Sequence, residues 1–274
     1  MRSPFGVVLA LATALTLSFL LLPIVAIFLD IPPGRLLDGM NDPAAIDALV
    51  VTLKTTLIAN ALILLVGTPA AYLIGSRSFR ARPLLVTAVE LPLVLPPAVA
   101  GIGLLAAFGR FGLLGGTLDV LGLTLPFTQL AVVFAVMFVA GPFYVRAAIS
   151  AFESVDPSLT GAARTLGAGP ARTFFRVALP LAAGGLGAGW ALSFARGLGE
   201  FGATIMFAGS LQGVTQTLSL AVYEQFDVNF DVALAIGAEL VVISAFLLLA
   251  VKLVPTWTRS NSPSTTLFAP IGSR

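Results

Sequence analysis

Six separate stretches of this chain are each long and apolar enough to span a bilayer core as a helix, which takes about 20 residues. They run over about 5–29, 49–75, 84–108, 129–149, 181–208 and 232–254. A spanning strand would be about ten residues long with alternating polarity, and none of the six alternates. Composition rules out hiding this surface in a soluble fold, since 58% of the 274 residues are hydrophobic and only 10% are charged, against about a quarter charged in soluble domains. The first stretch follows Arg2 and carries Ala-Leu-Ala at 10–12. It far exceeds the apolar core of a signal peptide, about 7–15 residues, so a retained helix is expected. The fold class is therefore an all-α polytopic membrane protein, with a single membrane domain over residues 1–259. The Ser-, Thr- and Pro-rich end, 260–274, is expected to be a disordered tail.

Orientation follows from the Lys and Arg residues in short loops. With the amino terminus in the cytoplasm, the inner segments hold Arg2, Arg77, Arg80, Arg82, Arg146, Arg164, Arg172, Arg176, Lys252, Arg259 and Arg274. The outer segments hold only Arg35 and Arg110, while Lys54 and Arg196 fall within spans. Most acidic residues lie on the outer side: Asp30, Asp38, Asp42, Asp47, Asp119, Glu224, Asp227 and Asp231, against Glu153 and Asp156 inside. Both termini are expected in the cytoplasm.

The longest inner connection, about 150–180, reads as two short helices around a glycine turn. Asp156-Pro157 is a cap and first-turn pair, and Gly167 can supply the left-handed residue that ends a helix. Gly169-Pro170 then starts a second helix carrying Arg172 and Arg176, expected to stop at Leu179-Pro180. Such a basic hairpin suits either an amphipathic piece on anionic lipid or a docking element for a cytoplasmic partner.

Within the spans, the third carries Glu90, Pro92, Pro96 and Pro97. Proline removes a donor and clashes with the carbonyl four residues back, so this helix is expected to be kinked or broken near mid-span. Irregular backbone at that depth must be buried in protein or line a cavity, leaving pathway lining and packing kinks as the two readings. The fifth span has a stripe of small residues, Gly185, Gly189, Ser193 and Gly197, suited to close helix packing. Arg196 and Glu200, four apart, can pair along the helix as structural glue or as gate lining; Thr204 follows one turn later.

Two motifs resemble a known family. Gly161-Ala162-Ala163-Arg164-Thr165-Leu166-Gly167, with Val177-Ala178-Leu179-Pro180 ten residues on, is similar to the EAA loop of ABC importer permeases. In that family the loop docks in a groove of the ATPase and transmits nucleotide-driven motion. The resemblance gives Ala162, Ala163, Arg164, Gly167, Leu179 and Pro180 a coupling role. The usual leading Glu is Gly161 here, which removes any ion pair that Glu makes. Residues 91–101, Leu-Pro-Leu-Val-Leu-Pro-Pro-Ala-Val-Ala-Gly, are similar to the third-helix motif of molybdate and sulfate permeases. The string from Phe194 to Thr204, followed by Gln216-Thr217-Leu218, most closely resembles the molybdate branch. The resemblance spans roughly residues 48–254 and implies a type I ABC importer permease fold. It also implies import of molybdate, with tungstate and sulfate as related tetrahedral dianions, and a pathway or gate including Glu90, Pro92, Pro96, Pro97, Arg196, Glu200 and Thr204. Its implied partners are a second copy of the permease, cytoplasmic ATPase subunits, an extracytoplasmic oxyanion-binding protein and the lipid bilayer of a prokaryotic inner membrane, with no nucleic acid.

No engine is visible in the chain itself. A phosphate-cradling loop needs Gly-x-x-x-x-Gly-Lys-Ser/Thr, and the only lysines are Lys54, after Leu53, and Lys252, after Val251. ATP would thus be used by a partner, with no cofactor bound here. An ion-coupled secondary transporter fits the apolar spans and the broken helix equally well, with Glu90, Glu200 and Glu239 as its only intramembrane carboxylates, but gives no reason for the hairpin. Intramembrane metalloproteases need His-Glu-x-x-His, and the chain has no histidine and no cysteine. A passive scaffold explains neither motif.

Overall fold

A computed structural model describes residues 4–260, with side chains to residue 250. The described residues are helical with no strand among them: α1 (Pro4–Leu29), α2 (Pro33–Met40), α3 (Pro43–Gly75), α4 (Arg82–Val94), α5 (Pro97–Phe108), α6 (Gly115–Val120), α7 (Gln129–Glu153), α8 (Pro157–Thr165), α9 (Pro170–Thr173), a π-helical turn (Phe174–Ala178), α10 (Leu179–Leu198), α11 (Gly202–Ala208), α12 (Leu218–Phe226) and α13 (Phe230–Ser260). Five helical segments are long and apolar enough to cross a membrane, and the bent pair α4–α5 makes a sixth. The expected tail beyond residue 260 and the terminal charges Arg2 and Arg274 lie outside the described residues.

The core is a three-helix seam. α7 runs alongside α3 in the same direction, with Gly67 against Tyr144 and Val145 and Gly75 against Ile149 and Phe152. α10 runs back along α7 and also touches α3, and here the small-residue stripe sets the spacing. A Cβ added to Gly185 would sit 2.6 Å from Ala151 Cβ, one on Gly189 2.7 Å from Ala147 Cβ, and one on Gly197 2.9 Å from Val136 Cγ1. Ser193 completes the seam by donating its hydroxyl proton to the Ala140 carbonyl at 2.9 Å. Lipid tails are as apolar as leucine, so such association rests on close packing and on hydrogen bonds between helices rather than on exclusion of water.

Polar residues on these helices bond one turn back or across to the neighbouring helix, with Asn60 Oδ1 left without a partner. Thr55 and Asn60 donate to carbonyls one turn back, Val51 and Thr56; Thr68 and the Tyr144 hydroxyl are 2.6 Å apart; Lys54, about three turns into α3, donates to Gln129 Oε1 at the start of α7 at 2.7 Å. Elsewhere the surface is strongly apolar. Along α1 the large side chains are exposed and Gly6 is the buried position, as expected of a helix facing lipid or another chain. α1 otherwise touches mainly α13, which packs on α2, α10 and α12.

Two expected boundaries shift. The fifth crossing runs as one 29-residue segment, Pro170–Leu198, so the hairpin's second helix does not stop at Leu179-Pro180. Pro180 has no amide proton to give, and the chain widens just before it, with Leu179 N–H bonding to the Phe174 carbonyl five residues back. A π turn thus absorbs the proline where a regular helix would clash. At its other end this crossing finishes at Leu198 instead of reaching residue 208.

If the glycine seam sets helix spacing, Gly189→Leu should destabilise the protein by about 1–3 kcal/mol, the usual cost of overpacking. Gly184→Leu, where nothing lies within 4 Å of the added carbon, should be near neutral. Thermal unfolding of the two variants in detergent checks this.

Candidate functional site

The third crossing is broken where the prolines required it. α4 ends at Val94, Leu95 and Pro96 are extended with ψ 132° each, and α5 starts at Pro97. Each proline pushes the residue before it out of the helical region, so Pro97 fixes Pro96, and Pro96 fixes Leu95. The chain bends by 113° between the two halves. Pro92 lies within α4. α4 alone, thirteen residues at 1.5 Å each, covers about 20 Å of a core about 30 Å thick; α5 does not continue that line but turns partly back from it.

The fifth crossing is broken too. α10 ends at Leu198, residues 199–201 leave the helix, and α11 begins at Gly202. The two breaks touch. A Cβ on Gly202 would lie 2.9 Å from Pro97 Cβ and 3.0 Å from the Ala98 nitrogen, and one on Gly101 would lie 2.6 Å from the Ala203 carbonyl oxygen. Glycine at both positions lets α5 and α11 lie side by side.

Glu200 holds the second break together. It is 1% exposed, its Oε2 lies 2.7 Å from Arg196 Nη2, and its Oε1 accepts from the Ala203 amide at 2.8 Å. One carboxylate therefore ties the end of α10 to the start of α11. The expected pair forms, but Glu200 stands beyond the helix rather than on it. Ser219 donates to the Leu198 carbonyl at 3.3 Å, and Thr52 Oγ1 accepts from the Leu218 amide at 2.8 Å, so groups from α3 and α12 close the surroundings. Thr204 is fully buried, its hydroxyl without a partner.

Glu90 lies elsewhere. Its Oε1 is 2.6 Å from Arg146 Nε, linking α4 to α7. Arg146, counted with the inner segments by sequence, sits on α7, seven residues or about 10 Å before the helix ends. It faces an open groove of about 340 Å3 lined by Leu93, Phe143, Arg146, Ala147, Ser150 and Leu192. Its spacing carried a usable signal: Phe143, Arg146, Ala147 and Ser150 share one helix face, while the buried Tyr144 and Ala148 turn away from it.

The hairpin forms at the end of the bundle where α3 and α7 finish. Asp156 caps α8 by accepting from the Ser158 amide at 2.8 Å, and that bond lowers the carboxyl below its ordinary pKa. Gly167 has φ +83° and closes the helix, with its own N–H bonding to the Arg164 carbonyl and that of Ala168 to Ala163. Ala162, Arg164 and Gly167 are exposed and Ala163 is half-buried. Leu166, unmarked in the sequence reading, is 88% exposed at the tip. Leu179 packs against the core while Pro180 is exposed. The hairpin is fastened to the bundle by rings: Phe174 stacks 4.8 Å from Tyr72, which meets Phe152 at 5.2 Å. Arg82 pairs with Glu153 beside them.

Comparison with known proteins bears on these features together. The family described as binding-protein-dependent transport system inner membrane component matches residues 67–259. The molybdenum transport system permease protein ModB of Mycobacterium tuberculosis is 41% identical over 233 residues, 85% of this chain and 88% of that protein. ModB of Escherichia coli (strain K12) is 43% identical over 177 residues, 64% of this chain and 77% of that one. Among solved structures, a chain of a bacterial alginate ABC transporter, in complex with alginate pentasaccharide-bound periplasmic protein, superposes with TM-score 0.71 at 17% identity, covering 93% of this chain and 94% of its own.

Glu200→Ala would leave Arg196 unpaired beside a buried break and uncap α11, so it should destabilise the protein by about 3 kcal/mol or more. Glu200→Gln, which keeps an acceptor for the Ala203 amide, should lose less. Relative thermal stability of the two purified variants reads the difference.

Proposed function

Since the chain belongs to the family of binding-protein-dependent transport system inner membrane components, we propose that it is the membrane-spanning permease subunit of an ATP-driven molybdate importer. It is a multi-pass inner membrane protein of the molybdate-permease type. Two copies form the pathway, each docking a separate ATPase subunit on its hairpin and receiving the anion from an extracytoplasmic oxyanion-binding protein. Both termini are cytoplasmic. ATP is used by the partner. Tungstate, also a tetrahedral dianion, is carried as well.

The observation that carries the reading is the continuity of Pro170–Leu198. An exposed hairpin at one end leads through a single helical rod to a broken backbone at the other, where the fifth crossing meets the third. Force applied at the hairpin can reach irregular backbone that, at this depth, must line a cavity or be buried in protein. Pro96 and Pro97 at one break, with Glu90 and Pro92 on the helix leading to it, and Arg196, Glu200 and Thr204 about the other, are the residues we assign to the pathway or its gate. Ala162, Ala163, Arg164 and Gly167 form the ATPase contact, with Leu166 as its apolar tip; Leu179 and Pro180 anchor the hairpin to the rod.

Vesicles containing this protein alone should take up no molybdate, and adding its ATPase, its binding protein and internal ATP should restore uptake, with tungstate competing strongly and sulfate weakly. Uptake by the lone protein on a proton or sodium gradient would overturn the ATP-driven reading; efficient sulfate uptake with molybdate excluded would overturn only the substrate.

Gly167→Val places a β-branched residue at φ +83°, a conformation such residues rarely adopt. The variant should insert normally yet lose both transport and co-purification of the ATPase. Unchanged values of both would remove the hairpin from the coupling role.

A further inference from the structure

The groove at Arg146 calls for an occupant. An ion pair in hydrocarbon is expensive and is found facing protein or water rather than lipid. Both members of this one are far from buried: side-chain exposure is 47% for Arg146 and 40% for Glu90. The face of α7 that presents Arg146 and Ser150, flanked by Leu93 of α4 and Leu192 of α10, is therefore turned toward a polar space. Leu93 stands only two residues before the extended pair Leu95-Pro96, so the groove begins directly beside the break in the third crossing. The other walls are apolar, which leaves the guanidinium and the Ser150 hydroxyl as its polar contacts.

We infer that Arg146 is a binding station for the oxyanion on the hairpin side of the break, and that Glu90 is its internal substitute ligand. This rests on the proposed function for the identity of the anion. A guanidinium presents five N–H donors in a fixed fork that matches an oxyanion's edge, and Ser150, one turn further along the same face, can donate to a third oxygen. In the state described here the carboxylate of Glu90 occupies Arg146 at 2.6 Å. A dianion arriving from the break displaces Glu90, and the returning carboxylate then displaces the dianion toward the hairpin side. Exchange of one anionic partner for another keeps the arginine paired throughout, so the anion is held without a trap too tight to leave. Arg146 in this scheme selects for negative charge, and Glu90 sets the rate of release.

The test uses the assembled complex with ATP-driven molybdate uptake, after the unaltered complex has been shown to transport; failure of that control concerns the proposed function and not this station. Arg146→Gln should lower uptake by about tenfold or more, the scale of losing one charge-assisted contact, while ATPase co-purification persists. Arg146→Lys, which keeps the charge without the fork, should recover part of the uptake. Glu90→Gln leaves the arginine without its substitute, and uptake should become several times more sensitive to sulfate placed inside the vesicles. The discriminating variant is Glu90→Gln/Arg146→Gln. If the pair only braces α4 against α7, two amides can still hydrogen-bond and uptake recovers; if Arg146 binds the anion, uptake stays as low as in Arg146→Gln. Recovery in the double variant, unchanged uptake in Arg146→Gln, or unaltered sulfate sensitivity in Glu90→Gln would each overturn the assignment. The last two measurements remain informative even if one variant fails to assemble.

Discussion

In the hydrocarbon of a bilayer a backbone N–H or C=O has no water to turn to, and each one left alone costs several kcal/mol. The two departures from regular helix at residues 95–96 and 199–201 are shaped by that constraint. The prolines at 96 and 97 carry no amide proton, so this break leaves fewer donors to satisfy. The end of α10 is closed by the Ser219 hydroxyl on the Leu198 carbonyl, and the start of α11 by the Glu200 carboxylate on the Ala203 amide. The two interruptions also shelter one another, since Gly202 lies against Pro97 and Ala98. Two broken crossings placed apart would each expose backbone to lipid; placed in contact they form one protein-lined locus.

That locus depends on the seam beneath it. Gly185, Gly189, Ser193 and Gly197 bring α10 onto α7, and α7 is in turn packed on α3. The close contact fixes how α10 sits against α7, hence where its end lies relative to the first interruption. Specificity of position comes from small residues in the seam, and chemistry from the few charged groups beyond it.

Much of this was legible in the chain. Six crossings, the interruption at Pro96-Pro97, the close-packing stripe and the capped, glycine-closed hairpin all follow from hydropathy, proline geometry and residue size, which are local properties. What sequence did not reveal depends on partners distant in the chain. The fifth crossing looked continuous to residue 208 because Phe201 to Ala208 is as apolar as what precedes it; only the contact with α5 explains why it turns at Gly199. Glu200 seemed to be a helix-face residue, because spacing alone cannot separate an i,i+4 pair on a helix from the same pair at its end. Arg146 was counted with the inner segments since a charge near a span's edge reads as flanking; its pairing with Glu90 of another crossing could not be read from spacing. The helix stop expected at Leu179-Pro180 failed for a different reason: one widened turn accommodates a proline without ending the helix.

That widened turn changes how the whole segment must be numbered as a cylinder. A π turn holds roughly one residue more than an α turn, and one residue corresponds to about 100° of rotation. Side chains of Pro170–Thr173 are therefore out of phase with those of Leu179–Leu198 by about that angle, and a helical wheel drawn straight through Phe174–Ala178 would assign the hairpin to the wrong side of the rod. The phase offset is what lets Phe174 reach Tyr72 while the glycines further along still face α7, so the segment works as a crank with two differently oriented arms.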